Sequence, residues 1–105
     1  MLCFAVNYRG STGFGARSIF SLPGNIGSND VQDMMTAIAA VTTHHIHNES
    51  RAIDRSRMAV VGGSHGGFLA GHLIGQYPDT FKAAVLRNPV TNIPAMVSVS
   101  DIPGY

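Results

Sequence analysis

Short apolar runs separated by glycine-rich segments make up the first quarter of the chain. The first run, Leu2–Val6, stops at the segment NYRGSTGFG. An apolar run that ends at glycine after so few residues is too short for a typical helix, so it predicts a strand followed by a loop. A second loop is predicted for Ser18–Gly27, where PGNIG gives the turn signal.

A helical pattern follows these loops. Asn29 is the predicted N-cap, and Gln32 three residues later completes a capping box. Asp30 and Asp33 place negative charge in the first turn, which suits the helix dipole. The sequence therefore predicts a helix over Asp30–His45. Its apolar stripe consists of Val31, Met34, Met35, Ile38 and either Val41 or Thr42.

The second half of the chain alternates between strand-like and helix-like segments. The valine-rich run Met58–Val61 predicts a buried strand, and a helix is predicted over His65–Gln76. Pro78 disfavours helical geometry at Tyr77 and so marks the end of that helix. A third strand is predicted within FKAAVLRNP, and the last 16 residues, 90–105, show no strong period. Alternating strands and helices predict an α/β fold with a parallel sheet and helices on its faces.

Three glycines interrupt the second predicted helix at a regular interval. Gly67, Gly71 and Gly75 are four residues apart and so share one helical face. Each glycine costs about 1 kcal/mol relative to alanine inside a helix, so three on one face need a packing reason. We expect this face to approach the sheet closely.

Composition and charge favour a globular protein and argue against some classes of partner. The chain of 105 residues is 45% hydrophobic and 12% charged, which is typical of a globular protein. Its net charge of +1 comes with no basic cluster, which argues against a nucleic-acid partner. Cys3 is the single cysteine, so an intrachain disulfide is excluded, and no signal or membrane-spanning segment is apparent. These features favour a cytoplasmic location and no membrane partner.

A possible nucleophile lies between the predicted strand and the second helix. Gly62, Gly63, Ser64, His65 and Gly66 satisfy the pattern G-x-S-x-G, in which a serine occupies a sharp, strained strand-to-helix turn. Glycines two residues before and two after the serine would avoid collisions with the neighbouring backbone. The backbone N–H of the residue after the serine would be one donor to a developing oxyanion.

The spacing of these glycines argues against three other glycine- or serine-containing motifs. A P-loop requires lysine after its last glycine, but Phe68 follows Gly67. A dinucleotide-binding fingerprint that began at Gly62 would need glycine at Ser64. The S-x-x-K motif of penicillin-binding enzymes fails because Gly67 stands where lysine is required. The hydrolase pattern is favoured, and a purely structural turn remains the alternative.

A catalytic serine also requires a base and an orienting acid. After Ser64 the chain offers His72, Asp79 and Asp101. His72 lies two turns along the same predicted helix, so we interpret it as a packing or surface residue. Asp79 is interpreted as a turn residue, and no histidine follows Asp101. None of the three completes the expected set.

A histidine cluster at the end of the first predicted helix is the strongest candidate for a metal site. It consists of His44, His45 and His47, but no carboxylate stands at ligand spacing on that helix. We interpret these residues as a solvated helix end and expect no metal there.

Several segments together resemble the acylaminoacyl-peptidase group of the prolyl oligopeptidase family of serine peptidases. They are NYRGSTGFG, SLPGNIG, DVQD, GGSHGGFLAGHLIGQYPDTFKA, RNPVTNI and SDIP, and the resemblance covers almost the whole chain. GGSxGG is common to the family, whereas SHGGF followed by HLIGQYP is more specific to this group.

The resemblance implies a partial α/β-hydrolase fold with Ser64 as nucleophile and the His65 N–H as oxyanion donor. Gly62, Gly63, Gly66 and Gly67 would form the structural elbow around the serine. Such enzymes release an N-acylated, typically N-acetylated, residue from a short peptide in the cytosol. They use no cofactor, carry a β-propeller that limits substrate size, and are often oligomers. A homo-oligomer is therefore expected for the full-length enzyme.

Several parts of the family pattern have no counterpart in this sequence. The His-Gly-Gly-Pro segment, the catalytic aspartate and histidine, and the propeller are all missing from residues 1–105. The opening also looks shortened between Cys3 and Phe4 relative to the family. We therefore expect residues 1–105 to be part of a peptidase catalytic domain, truncated at both ends and inactive alone. Two alternatives remain: a non-catalytic truncated isoform that binds full-length subunits, and a serine esterase.

Overall fold

The computed structural model describes residues 1–43 and 53–101 of the chain. These residues belong to two units, Met1–Arg55 and Ser56–Tyr105. The first unit contains helices α1 and α2, and the second contains two strands and helices α3 and α4. The elements are α1 Ala16–Phe20, α2 Asn29–Thr43, a 3-10 turn Arg55–Arg57, β1 Ala59–Gly63, α3 His65–Gln76, β2 Ala83–Arg87 and α4 Ile93–Val99.

The sheet of the second unit consists of two parallel strands. β1 pairs with β2 from Ala59 opposite Ala83 to Gly63 opposite Arg87. α3 connects the two strands along the chain and contacts both of them. The predicted strands around Met58–Val61 and within FKAAVLRNP are confirmed, and so is their parallel direction. The α/β class is therefore confirmed for this part of the chain.

α3 packs on the sheet through an apolar face that includes glycine. Leu69, Ala70 and Leu73 are buried on this helix. A Cβ atom at Gly67 would lie 3.2 Å from the carbonyl oxygen of Arg87 in β2, and one at Gly71 would lie 3.3 Å from Leu86 Cδ2 in the same strand. The predicted close approach is thus confirmed at these two glycines. It is wrong at Gly75, where an added Cβ would meet no atom within 4 Å.

The opposite face of the same sheet is apolar and exposed. Its central pair is Val61 and Val85, which are 72% and 56% exposed. Helices were predicted on both faces. Within the described residues of the second unit, that prediction is confirmed for the face that α3 contacts.

The predicted strand Leu2–Val6 is wrong, because these residues adopt no regular secondary structure. A strand is stable only when its backbone N–H and C=O groups pair with a neighbouring strand. The sheet described here contains β1 and β2 alone. Both strands lie in the second unit, and the described residues of the first unit, Met1–Arg55, contain no other strand with which Leu2–Val6 could pair.

α2 confirms the first predicted helix but begins differently. Its first residue is Asn29, and the N–H of Gln32 donates to the carbonyl of Ser28 at 2.9 Å, so Asn29 is not the N-cap. Asp30 is fully buried, and its Oδ1 accepts a 2.7 Å hydrogen bond from the N–H of Gly27. An acidic side chain thus reaches back to the turn before the helix, as the glutamate of a capping box does. The predicted end at His45 lies outside the described residues.

Arg9 and Asp33 join the glycine-rich loop to α2. The backbone N–H and Nε of Arg9 each donate to Asp33 Oδ2 at 2.9 Å, and Nη2 donates to Oδ1. These hydrogen bonds favour the charged carboxylate and hold the pKa of Asp33 below its usual value. Asp33 therefore stabilises the folded chain in its ionised form.

We expect Asp33→Asn to lower the free energy of unfolding at neutral pH. Because the folded-state pKa of Asp33 is depressed, its contribution is complete above the unfolded value of about 4 and disappears as the pH falls through the folded value. The difference between wild type and Asp33→Asn should accordingly shrink on acidification in denaturant titrations of the full-length protein. A difference that stays constant down to pH 2 would contradict the role of Asp33.

Two short helices were not predicted. α1 lies partly within the predicted loop Ser18–Gly27, and α4 lies in the segment that showed no period. α4 begins with a standard signal, since Asn92 Oδ1 accepts from the N–H of Ala95 at 3.0 Å and Pro94 occupies the first turn. None of the described helices is long and apolar enough to cross a membrane.

Candidate active site

Ser64 occupies the turn between β1 and α3. It follows Gly63, the last residue of the strand, and precedes His65, the first residue of the helix. Its φ of 54° and ψ of −119° lie in a region that residues with a side chain rarely adopt. The side chain of Ser64 is exposed. The predicted sharp strand-to-helix turn, with its backbone strain, is confirmed.

The hydroxyl of Ser64 does not cap the helix that follows. A serine at the N-cap position normally accepts a hydrogen bond from an N–H of the first turn. Ser64 has the N-cap position of α3 but makes no such side-chain bond. Within the described residues of the second unit, no side chain or backbone group bonds to its hydroxyl. This distinguishes Ser64 from a serine that only begins a helix.

Gly62 is required by the close approach of the first turn of α3. A Cβ at Gly62 would overlap the carbonyl group of Gly66 and lie 2.8 Å from the N of Gly67. The predicted steric reason for glycine two residues before the serine is thus confirmed. For Gly66 it is not, because a Cβ there would meet no atom within 4 Å in the described structure. Gly63 is also unrestricted, since its nearest contact would be Arg87 O at 3.9 Å.

His65 begins α3, so its backbone N–H is among those that a helix cannot satisfy internally. Its ring stacks on Phe68, with centroids 5.3 Å apart and planes at 29°. Phe68 in turn contacts the ring of His72, with centroids 4.2 Å apart. His72 Nδ1 also lies 3.0 Å from Gln76 Nε2. His72 is therefore a packing residue of α3, as predicted.

Asp79, Asp101 and the histidine cluster do not belong to the turn that holds Ser64. Asp79 lies in the exposed turn after α3, as predicted, and Asp101 is exposed after α4. The cluster His44, His45 and His47 lies outside the described residues. Residues 1–43 and 53–101 contain no group of three histidine, cysteine, aspartate or glutamate side chains that could hold a metal ion.

The segment that follows β2 also belongs to the site, although the sequence did not predict it as part of the site. The N–H of Ser64 donates to the carbonyl of Arg87 at 3.1 Å, and the N–H of Val90 donates to the carbonyl of Ser64 at 3.3 Å. Asn88, which lies between Arg87 and Val90, has a φ of 37°. One signal was available: the carboxyl ends of adjacent parallel strands lie at the same edge of a sheet.

The arrangement presents an exposed hydroxyl beside the N-terminus of a helix. Backbone N–H groups and the helix dipole make such a position favourable for negative charge. A hydroxyl held there suits attack on a carbonyl carbon, because the oxyanion that forms would lie near these donors. The hydroxyl still requires a base to accept its proton.

The whole chain, residues 1–105, matches the prolyl oligopeptidase family. It is 53% identical to the acylamino-acid-releasing enzyme of Sus scrofa and 52% identical to that of Homo sapiens, and both matches cover 100% of this chain. It is 58% identical to acylamino-acid-releasing enzyme 1 of Oryza sativa subsp. japonica over 95% of this chain. The chain spans 14% of the length of the two mammalian relatives and 12% of the rice relative. A match over every residue, together with the strand–serine–helix turn at Ser64, shows that this chain belongs to the prolyl oligopeptidase family.

Proposed function

We propose that residues 1–105 are part of the catalytic domain of a serine peptidase in which Ser64 is the nucleophile. The conformation of Ser64 carries this proposal. A φ of 54° is costly for serine, and its hydroxyl neither caps α3 nor is buried. A serine that served only the turn could be replaced by glycine without that cost. A strained backbone and an exposed hydroxyl at the same serine are explained if the hydroxyl reacts.

The names of the relatives support a specific substrate class. All three relatives described above are called acylamino-acid-releasing enzymes. We infer that the full-length protein releases an N-acylated amino acid, such as an N-acetylated one, from the N-terminus of a short peptide. An esterase would use the same nucleophile, but hydrolysis of an anilide, which is an amide, would distinguish a peptidase from an enzyme that cleaves esters alone.

The reaction would proceed through an ester of Ser64. Its Oγ would attack the carbonyl carbon of the first peptide bond while a base takes the hydroxyl proton. The backbone N–H of His65 would donate to the oxyanion that forms. The C–N bond would then break, the shortened peptide would leave as an amine with that proton, and water would hydrolyse the ester to release the N-acylated amino acid.

We propose that residues 1–105 alone do not turn over substrate. Within the described part of the second unit, the Ser64 hydroxyl has no hydrogen-bonded base. A hydroxyl without a base is a weak nucleophile at neutral pH. The base, its orienting acid and a second oxyanion donor would come from other parts of the full-length protein.

Covalent labelling of the full-length protein tests the assignment of the nucleophile. Ser64 is the one serine in the tryptic peptide Met58–Lys82, so a modified residue in this peptide can be identified without ambiguity. After treatment with a fluorophosphonate, we expect mass spectrometry to find the phosphonyl group on Ser64. Label on another serine, with Ser64 unmodified, would contradict the proposal. Hydrolysis of acetyl-alanine p-nitroanilide but not of alanine p-nitroanilide would support the acylated substrate.

A non-catalytic interaction role is the second candidate. The exposed apolar pair Val61 and Val85 favours it, because such a sheet face tends to associate with other apolar surface. On this view the 105-residue chain would bind full-length subunits. Co-purification of tagged 105-residue chain with the full-length protein is the expected result for this role, and its absence would exclude it.

A further inference from the structure

We propose that Asn88 is a positioning residue that holds Ser64 in its reactive conformation. The inference rests on the proposed function of Ser64 and concerns the turn after β2, from Arg87 to Val90. Asn88 and Ser64 are the two residues other than glycine with positive φ in the described structure. They lie at the same edge of the sheet, because Ser64 follows Gly63 and Asn88 follows its register partner Arg87.

Backbone hydrogen bonds connect Ser64 to the two residues that flank Asn88 and Pro89 in the turn after β2. Ser64 donates its N–H to Arg87 O at 3.1 Å and accepts from the N–H of Val90 at 3.3 Å. Its carbonyl also accepts from the N–H of Phe68 at 3.1 Å, the first bond of α3. The turn after β2 therefore contacts both polar backbone groups of Ser64, and two of these three bonds depend on it.

The register of the strands explains why this turn must be irregular. In a regular parallel ladder, a residue that donates to one position accepts from the residue two positions further along the same strand. Ser64 donates to Arg87, so its regular donor would be position 89. Pro89 has no backbone N–H and cannot donate. The bond from Val90 replaces it, with one extra residue in the turn, as in a β-bulge.

The left-handed conformation of Asn88 makes this replacement possible. A bulge of this kind commonly places one residue in the left-handed region, which glycine and asparagine adopt most readily. The side chain of Asn88 is exposed, so burial does not explain an asparagine at this position. The turn also abuts α3, since a Cβ at Gly67 would lie 2.9 Å from Pro89 Cα and 3.2 Å from Arg87 O. A shift of Asn88 would therefore move the two groups that bond to Ser64.

Three variants of Asn88 in the full-length protein test the inference. Glycine accepts the left-handed conformation, alanine less readily, and valine, being β-branched, least. We expect Asn88→Gly to keep a wild-type kcat and Asn88→Val to lower kcat ten- to a hundred-fold with little change in KM, with Asn88→Ala between them. The rate of phosphonylation at Ser64 should follow the same order.

Asn92→Val is the matched control. Asn92 is a nearby exposed asparagine with φ of −143°, which valine adopts readily, and its side chain caps α4. Its replacement should lower the Tm without changing kcat. Equal kcat in Asn88→Gly and Asn88→Val, whether both are wild-type or both are reduced, would overturn the inference. So would an effect on KM alone.

The outcomes separate this inference from the proposed function. If the fluorophosphonate labels Ser64 in the wild type but all Asn88 variants react at the wild-type rate, only the role of Asn88 is wrong. If the label does not attach to Ser64, the proposed nucleophile is wrong, and the role of Asn88 falls with it. Circular dichroism melts of each variant identify any loss of activity that comes from unfolding.

Discussion

Replacement of Ser64 by alanine in the full-length protein is expected to abolish turnover of an N-acetylated substrate, with kcat reduced by a factor on the order of 10⁶. The physical reason is that the variant lacks the oxygen on which the ester intermediate forms. The surrounding N–H groups remain, so substrate binding should persist and KM should change little. Steady-state kinetics with an acetyl-amino-acid anilide measure both constants. Fluorophosphonate labelling of the peptide Met58–Lys82 should disappear in the same variant.

Ser98→Ala is the control for this prediction. Ser98 is an exposed serine of α4 whose Oγ donates to the carbonyl of Ala95 at 2.8 Å, so its hydroxyl already has a structural partner. This variant should keep the wild-type kcat and the label on Ser64. A Ser64→Ala protein that is folded and retains a tenth or more of the wild-type kcat would show that another group is the nucleophile.

The local sequence was sufficient to predict α3 because both of its ends are marked. Ser64 and its glycines precede the helix, and Tyr77 before Pro78 ends it, so the predicted range His65–Gln76 is the observed one. Both strands that contact α3 were also predicted. The bounds of α3 thus depend on residues that are close to it in the sequence.

Leu2–Val6 shows the limit of the same approach. Its apolar pattern is suitable for a strand, but strand formation depends on a hydrogen-bonding partner that the pattern does not specify. α1 was missed because its five residues show no helical period. α4 was missed because its seven residues show no strong period, although Asn92 and Pro94 together form a helix-start signal.

The candidate site was predictable only where steric constraints are local. The spacing of Gly62 and Ser64 predicted the strained turn, because the colliding atoms belong to the next five residues. Asn88 was not predictable in this way. Its contribution depends on the pairing of Gly63 with Arg87, two residues that are 24 positions apart in the sequence. Register between strands is a property of the folded sheet, and the sequence pattern does not fix it for strands this short.

Gly62→Ala tests the steric basis of the site and should be among the most destabilising single substitutions in the chain. The added methyl group would overlap the carbonyl group of Gly66, which is backbone at the start of α3 and cannot rotate away. Either β1 or α3 must then shift, and we expect a loss of about 3 kcal/mol in the free energy of unfolding. Denaturant unfolding of the full-length protein measures this loss.

Gly75→Ala provides a matched control in the same unit. Gly75 lies in the last turns of α3, and a Cβ there would meet no atom within 4 Å. Alanine should therefore be neutral or stabilise the helix by up to about 1 kcal/mol, since it has the higher helix propensity. Equal stability of the Gly62→Ala and Gly75→Ala proteins would mean that α3 does not approach β1 as closely as described.

Because Ser64 lies between Gly62 and Gly66, any shift that relieves the overlap must also displace its hydroxyl. We therefore expect the folded fraction of Gly62→Ala to react more slowly with the fluorophosphonate, whereas Gly75→Ala should react at the wild-type rate.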